Sequence, residues 1–175
     1  VVPRRAAASM ADLGSDRVEI LETPAAIARA ADIVILMLAS ADAMVEVCLG
    51  TDGLADAATP NTLVMDMGTT DAATTASIAA RLQEVGAAFV DAPVSGGRVG
   101  ATKGRLTIFV GADSAKDHER VAPLLEVMGE NVPVMGKVGT GQAAKVVNQL
   151  ISFSAQVTVA EAMALARRSG LELDT

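Results

Sequence analysis

The chain has 175 residues and a formal net charge of −7 at pH 7, which bounds it to one domain plus an attached element and excludes nucleic acid or an anionic membrane as a partner. Hydrophobic residues make up 51% of it, yet Trp and Tyr are missing and Phe occurs three times, so the core must be built from Val, Ile, Leu, Met and Ala, as in helices packed on a buried sheet. The single Cys48 excludes an intrachain disulfide, and with neither a signal-peptide pattern at Val1-Val2-Pro3-Arg4-Arg5 nor an apolar run long enough to span a membrane, the chain reads as soluble and cytoplasmic.

Val1-Val2 reads as the tail of a strand, followed by a helix over 4–13 that Gly14 closes. Residues 18–21 form a short extended segment. Thr23 caps the next helix, with Pro24 at its first position, and Asp32 ends it. The run Ile33-Val34-Ile35-Leu36-Met37-Leu38 is a parallel strand covered on both faces. A helix over 42–49 follows Ser40, and 50–60 is mostly loop before a strand over 62–66. Thr69 or Thr70 begins a long helix, with Asp71 in its first turn, that Gly86 closes. A strand over 88–91, a glycine-rich loop over 91–104, a strand over 106–110 and a helix over 114–128 come next. The last strand, 132–135, is placed at an edge or a strand end by Pro133. From Gly141 a helical pattern runs without a breaker to Gly170.

Strands alternating with helices predict an α/β fold of Rossmann type, a doubly wound, mainly parallel sheet. Residues 1–138 hold the sheet, and 139–175 a long linking helix. Ligands in such sheets collect at the carboxyl ends of the strands, after Leu38, Asp66, Asp91 and Met135. No Cys/His cluster has metal-ligand spacing, and neither a P-loop nor a nucleophile elbow occurs. His118 reads as a surface residue; Cys48 and the methionines read as core.

Lys145 is flanked by Ala143, Ala144, Val146, Val147, Leu150 and Ile151, and Asn148 shares its helix face, continued by Gln149, Ser152 and Gln156. Two readings fit. A lysine held near apolar groups has a lowered pKa, as proton transfer near neutral pH requires; a lysine at a helix edge can equally snorkel to water. In Asp91-Ala92-Pro93-Val94-Ser95-Gly96-Gly97, the Ser-Gly-Gly lets backbone N–H groups converge on a carboxylate, or forms an ordinary turn. The threonines of Asp66-Met67-Gly68-Thr69-Thr70 either touch a cofactor or cap a helix. Arg4 and Arg5, at a strand end without an acidic residue, lean toward NADP over NAD, or are solvated surface arginines.

The first of these motifs, with Ala101 and Gly104, followed by Gly136-x-x-Gly139-x-Gly141-x-x-x-Lys145-x-x-Asn148, resembles the β-hydroxyacid dehydrogenase family, which includes 3-hydroxyisobutyrate dehydrogenase and tartronate semialdehyde reductase. The resemblance extends over essentially the whole chain. It implies oxidation of small 3-hydroxy acids with NADP or NAD, Lys145 as general acid/base and Asn148 orienting the substrate. Ser95, Gly96 and Gly97 then bind the substrate carboxylate, while Met37, Leu38, Ala39 and Thr69 contact the dinucleotide, the family having Met-Leu-Pro where this chain has Met37-Leu38-Ala39. A homo-oligomer is expected. The family's opening strand and G-x-G-x-x-G turn have no counterpart here, and its all-helical second domain goes beyond Thr175, so the sequence reads as truncated at both ends. The alternatives are a non-catalytic binding or assembly module of the same fold and an imine reductase, whose similar scaffold lacks a lysine at this position.

Overall fold

The computed structural model describes residues 18–173; the strand and helix expected before Val18, with Arg4 and Arg5, lie outside them. Helices start where a short polar side chain satisfies their first free N–H groups. Thr23 Oγ1 accepts from Ala26 N at 3.1 Å before α1 (Pro24–Ala30), and Ser40 Oγ accepts from Ala43 N at 3.2 Å before α2 (Ala41–Leu49). Asp71 Oδ1 accepts from Thr74 N at 2.9 Å before α3 (Ala72–Glu84). Asp71 is thus the cap rather than a first-turn residue, which leaves Thr69 and Thr70 to the loop ahead of the helix. Ser114 caps α5 (Ala115–Met128), and α6 runs over Thr140–Arg168.

Strand β1 (Ile33–Leu36) stops two residues short of the expected run, and β2 (Leu63–Asp66) and β3 (Ala88–Asp91) lie parallel to it in turn. Residues 18–21, expected to be extended, form no strand. The loop expected over 91–104 contains β4 (Val94–Ser95) and the short α4 (Gly97–Thr102). The strand expected over 106–110 is divided into β5 (Leu106–Ile108) and β6 (Val110–Ala112); the last expected strand, 132–135, starts only after Pro133, as β8 (Val134–Gly136), and an unexpected β7 (Gly129–Asn131) precedes it.

The divisions have one cause. Pro93 and Pro133 have no N–H to give a ladder, and both fall at the level of Phe109: Phe109 N donates to Pro93 O, and Val110 N to Pro133 O, each at 3.0 Å. The ribbon is cut there into a five-stranded sheet, β1-β2-β3-β6-β8, and a three-stranded one, β4-β5-β7. In the larger sheet β6 runs antiparallel to β3, and β8, following Pro133, forms an edge.

Strand alternation then builds two core layers. Val34, Leu36, Val64 and Phe89 pack with Met44, Cys48, Ile78 and Leu82 of α2 and α3 on one face. Leu63, Met65, Val90 and Val110 pack with Val121 and Leu125 of α5 on the other. Because both faces are covered, β2 is buried at every residue, and the apolar side chains of Leu63, Val64 and Met65 each contribute about 1.5–3 kcal/mol. Of the methionines expected in the core, Met44, Met65 and Met67 are there, while Met37, Met135 and Met163 are exposed.

Candidate active site

The parallel strands end in two aligned carboxylates: Asp66 and Asp91 are register partners at the carboxyl ends of β2 and β3, and both are completely buried. Helix α6 begins against them. Its N-cap position is Gly139, in the left-handed region at φ 92° and without a side chain to cap anything. Asp91 caps the helix from the sheet: Oδ1 accepts from Gly139 N at 2.7 Å and Oδ2 from Gln142 N at 2.8 Å. A carboxylate there meets both the free N–H groups and the positive end of the helix dipole. Contact is close because residue 141 is glycine; a Cβ on Gly141 would lie 2.8 Å from Asp91 Oδ2 and collide with Phe109 O.

Asp66 serves the neighbouring loop. Its Oδ1 accepts from Gly68 N at 2.8 Å; its Oδ2 accepts from Thr70 Oγ1 at 2.8 Å and from Gln142 Nε2 at 3.2 Å. Burial pushes the pKa of both carboxyl groups up, while the hydrogen bonds they accept pull against it.

One turn beyond Gln142, Lys145 is 7% exposed, and burial lowers its pKa below the ordinary lysine value. It is therefore not a snorkelling edge residue. The apolar surroundings are not those read from its own helix, however: Val146, Val147, Leu150 and Ile151 are 58–69% exposed, and Lys145 is instead buried with Gly141 and Gln142 on the opposite face of the helix. Over its first turns α6 turns its polar residues to the domain and its apolar ones outward. On the next turn Asn148 Nδ2 donates to Ser95 Oγ at 3.3 Å, which joins the lysine helix to the Ser-Gly-Gly segment. Gly96 and Gly97 follow with φ 122° and 58°, both exposed.

The sequence-expected cofactor residues cluster on the other side. Met37 and Leu38 line an apolar groove of about 510 Å³ that runs beside β1 with Ile33, Ile35 and Val47. Gly68 brings the Thr69 loop up to it, since a Cβ there would lie 3.2 Å from Leu38 O. Ala39 and Thr69 are exposed next to these positions. Leu38, Gly68 and Thr69 thus come together at the carboxyl ends of β1 and β2, the place where a dinucleotide fits in such a sheet. Missed by sequence reasoning were the capping role of Asp91 and the whole role of Gln142, although Gln142 precedes Lys145 by one turn on the same polar stripe.

A doubly wound sheet with this arrangement at its carboxyl ends places the chain among the nicotinamide-dinucleotide-binding α/β proteins. Residues 1–136 match the family model described as the NAD binding domain of 6-phosphogluconate dehydrogenase, and residues 139–175 the model for NAD-binding of NADP-dependent 3-hydroxyisobutyrate dehydrogenase. The chain belongs to this family, the β-hydroxyacid dehydrogenases. It is 40% identical over 155 residues to mouse mitochondrial 3-hydroxyisobutyrate dehydrogenase, covering 88% of this chain and 46% of the relative. It is 36% identical over 152 residues to 2-hydroxy-3-oxopropionate reductase of Escherichia coli, covering 87% and 52%. The structure of Mycobacterium tuberculosis 3-hydroxyisobutyrate dehydrogenase with L-serine superimposes with a TM-score of 0.80 at 33% identity, over 89% of this chain and 52% of that one. The chain spans about half the length of the curated relatives it matches. No helix among the described residues is long and apolar enough to cross a membrane.

Proposed function

We propose that the protein carrying this sequence is an NAD(P)-dependent oxidoreductase of small 3-hydroxy acids, of the 3-hydroxyisobutyrate or 2-hydroxy-3-oxopropionate type. The observation that carries the reading is a buried lysine one turn from an asparagine that is hydrogen-bonded, at 3.3 Å, to the serine of a Ser-Gly-Gly turn. In it, Ser95, Gly96 and Gly97 hold the substrate carboxylate, Asn148 orients the substrate, and neutral Lys145 takes the hydroxyl proton as the carbinol hydride departs. The bound nicotinamide ring supplies the hydride acceptor. Met37, Leu38, Ala39 and Thr69 contact the dinucleotide, and Arg4, which lies outside the described residues, favours NADP, a preference that the name of the second matching family model supports. Residues 1–138 are the dinucleotide-binding domain, and 139–175 lead into a helical one. The exposed apolar face of α6, with Leu150, Ile151 and Phe153 each more than half exposed, supports a homo-oligomer. Its compartment is the cytoplasm, where the buried thiol of Cys48 stays reduced.

The test is a fluorescence titration with NADPH and NADH on the protein as its gene encodes it, followed by a turnover scan of 3-hydroxyisobutyrate, L-serine and other small 3-hydroxy acids. Micromolar binding of one dinucleotide and turnover of at least one acid are expected. Failure of both dinucleotides to bind leaves the binding or assembly module as the reading.

The pH profile carries a sign. Burial disfavours the ammonium of Lys145, so the neutral base is populated below the ordinary lysine value of about 10.4. kcat/KM for hydroxy-acid oxidation is expected to rise with pH and level off below that value. The reverse reduction, which needs the ammonium, is expected to fall over the same interval.

A further inference from the structure

Gln142 is 1% exposed, and its backbone N–H and both polar atoms of its side-chain amide are spent on the two strand ends. Its backbone N–H goes to Asp91 Oδ2 at 2.8 Å. Its side-chain amide does something more specific: Nε2 donates to Gly68 O at 3.0 Å while Oε1 accepts from Thr70 N at 3.1 Å. The amide thus pairs with the backbone on both sides of residue 69 as a neighbouring strand would. Nε2 also reaches Asp66 Oδ2, whose carboxylate holds Gly68 N and Thr70 Oγ1. With Gly68 and Thr70 buried and clamped, Thr69 alone is turned outward.

We infer that Gln142 is a positioning residue that presents Thr69 to the dinucleotide and fixes the distance between that contact and Lys145. The inference rests on the functional reading above. Its physical basis is that Gln142 and Lys145 are three residues apart on one helix face, so a shift of the Thr69 loop relative to α6 cannot occur while both amide hydrogen bonds persist. A hydrophobic side chain of similar volume would fill the space but leave Gly68 O and Thr70 N without their partner. Gln142 acts through Thr69 and Lys145 and takes no part in the proton transfer.

The experiment uses the protein as its gene encodes it and two variants, Gln142→Met and Gln142→Glu. In the cofactor-free protein, hydrogen exchange of the segment containing the Thr70 amide is expected to accelerate at least tenfold in Gln142→Met, with exchange of the β2 amides unchanged. The dinucleotide Kd is expected to rise about tenfold, matching the loss of hydrogen bonds from buried partners, and kcat to fall as well. Gln142→Glu separates positioning from folding. As a carboxylate it repels Asp66 and has no donor for Gly68 O; once protonated, at lower pH, it regains one donor and keeps its acceptor for Thr70 N. Its Kd is therefore expected to approach the wild-type value as pH falls, a recovery that Gln142→Met does not make. Unchanged Thr70 exchange in Gln142→Met, or a Kd for Gln142→Glu that does not improve with falling pH, overturns the proposal. If Gln142→Met fails to fold, the pH response of Gln142→Glu decides. Absence of dinucleotide binding by the wild type overturns the functional reading instead, and with it the assignment of Thr69; the exchange measurement still shows whether the clamp exists.

Discussion

Lys145→Ala, made in the protein as its gene encodes it, is expected to lower kcat for 3-hydroxy acid oxidation by about 10²–10⁴-fold, the range that a positioned general base contributes. The dinucleotide Kd should stay within about twofold, because the expected cofactor contacts, Met37, Leu38 and Thr69, come from other elements and the clamp on Thr69 comes from Gln142. Steady-state kinetics and a fluorescence titration on the same preparation check both halves. Arginine should not rescue the activity, since its guanidinium stays charged at any accessible pH and cannot accept the hydroxyl proton. The pH-dependent limb of the oxidation rate should disappear in either variant. A kcat for Lys145→Ala within tenfold of wild type would remove the lysine from the chemistry, whatever its burial.

That lysine could be found in the sequence because a charged residue interrupts an apolar helical run, and most element boundaries could be found because their signals are local. Thr23, Ser40 and Ser114 stand just ahead of a helical pattern, and each caps it. What periodicity does not contain is direction. The alternation in α6 defines a polar and an apolar stripe, but only the packing against Asp66 and Asp91 decides that the polar stripe is the inner one. The usual rule that the apolar stripe faces the core gives the wrong answer here, because at this helix end the domain presents carboxylates and free backbone groups rather than methyl groups.

The same reason hid Gln142 and Asp91. Their partners lie 48 to 76 residues away, and the distances are set by which strands are neighbours in the sheet. Asp91 was visible as part of a motif with the Ser-Gly-Gly turn, yet its carboxyl group caps a helix that starts 49 residues later. The break at Phe109 belongs in this group too. Nothing in Leu106-Thr107-Ile108-Phe109-Val110 departs from a strand pattern, and the interruption comes from two prolines on the strands alongside it.

Gly141→Ala tests whether that non-local junction or the local helix controls the position of Lys145. In an isolated helix, alanine is better than glycine by about 1 kcal/mol, and Gly141 has no positive φ that would forbid a side chain. A purely local account therefore expects stabilisation. In the folded chain the new Cβ would collide with Phe109 O and lie 2.8 Å from Asp91 Oδ2 and 2.9 Å from Asp91 O. Each is a backbone carbonyl or a carboxylate already fixed by two N–H donors, so none can move aside cheaply. Overpacking of this kind costs about 1–3 kcal/mol, which outweighs the propensity gain across most of its range. The expected result is a Tm lowered by several degrees, at about 2–4 °C per kcal/mol for a cooperative unit of about 150–250 residues. The helix start would be pushed off the sheet, carrying Gln142 and Lys145 with it. Since a displacement of about 1 Å at a reacting group can cost 10²-fold in rate, kcat should fall by far more than the stability loss alone accounts for at a temperature where the variant is still folded. A variant with raised Tm and wild-type kcat would mean that α6 can tilt freely at its first turn, and that Asp91 does not hold the lysine in place.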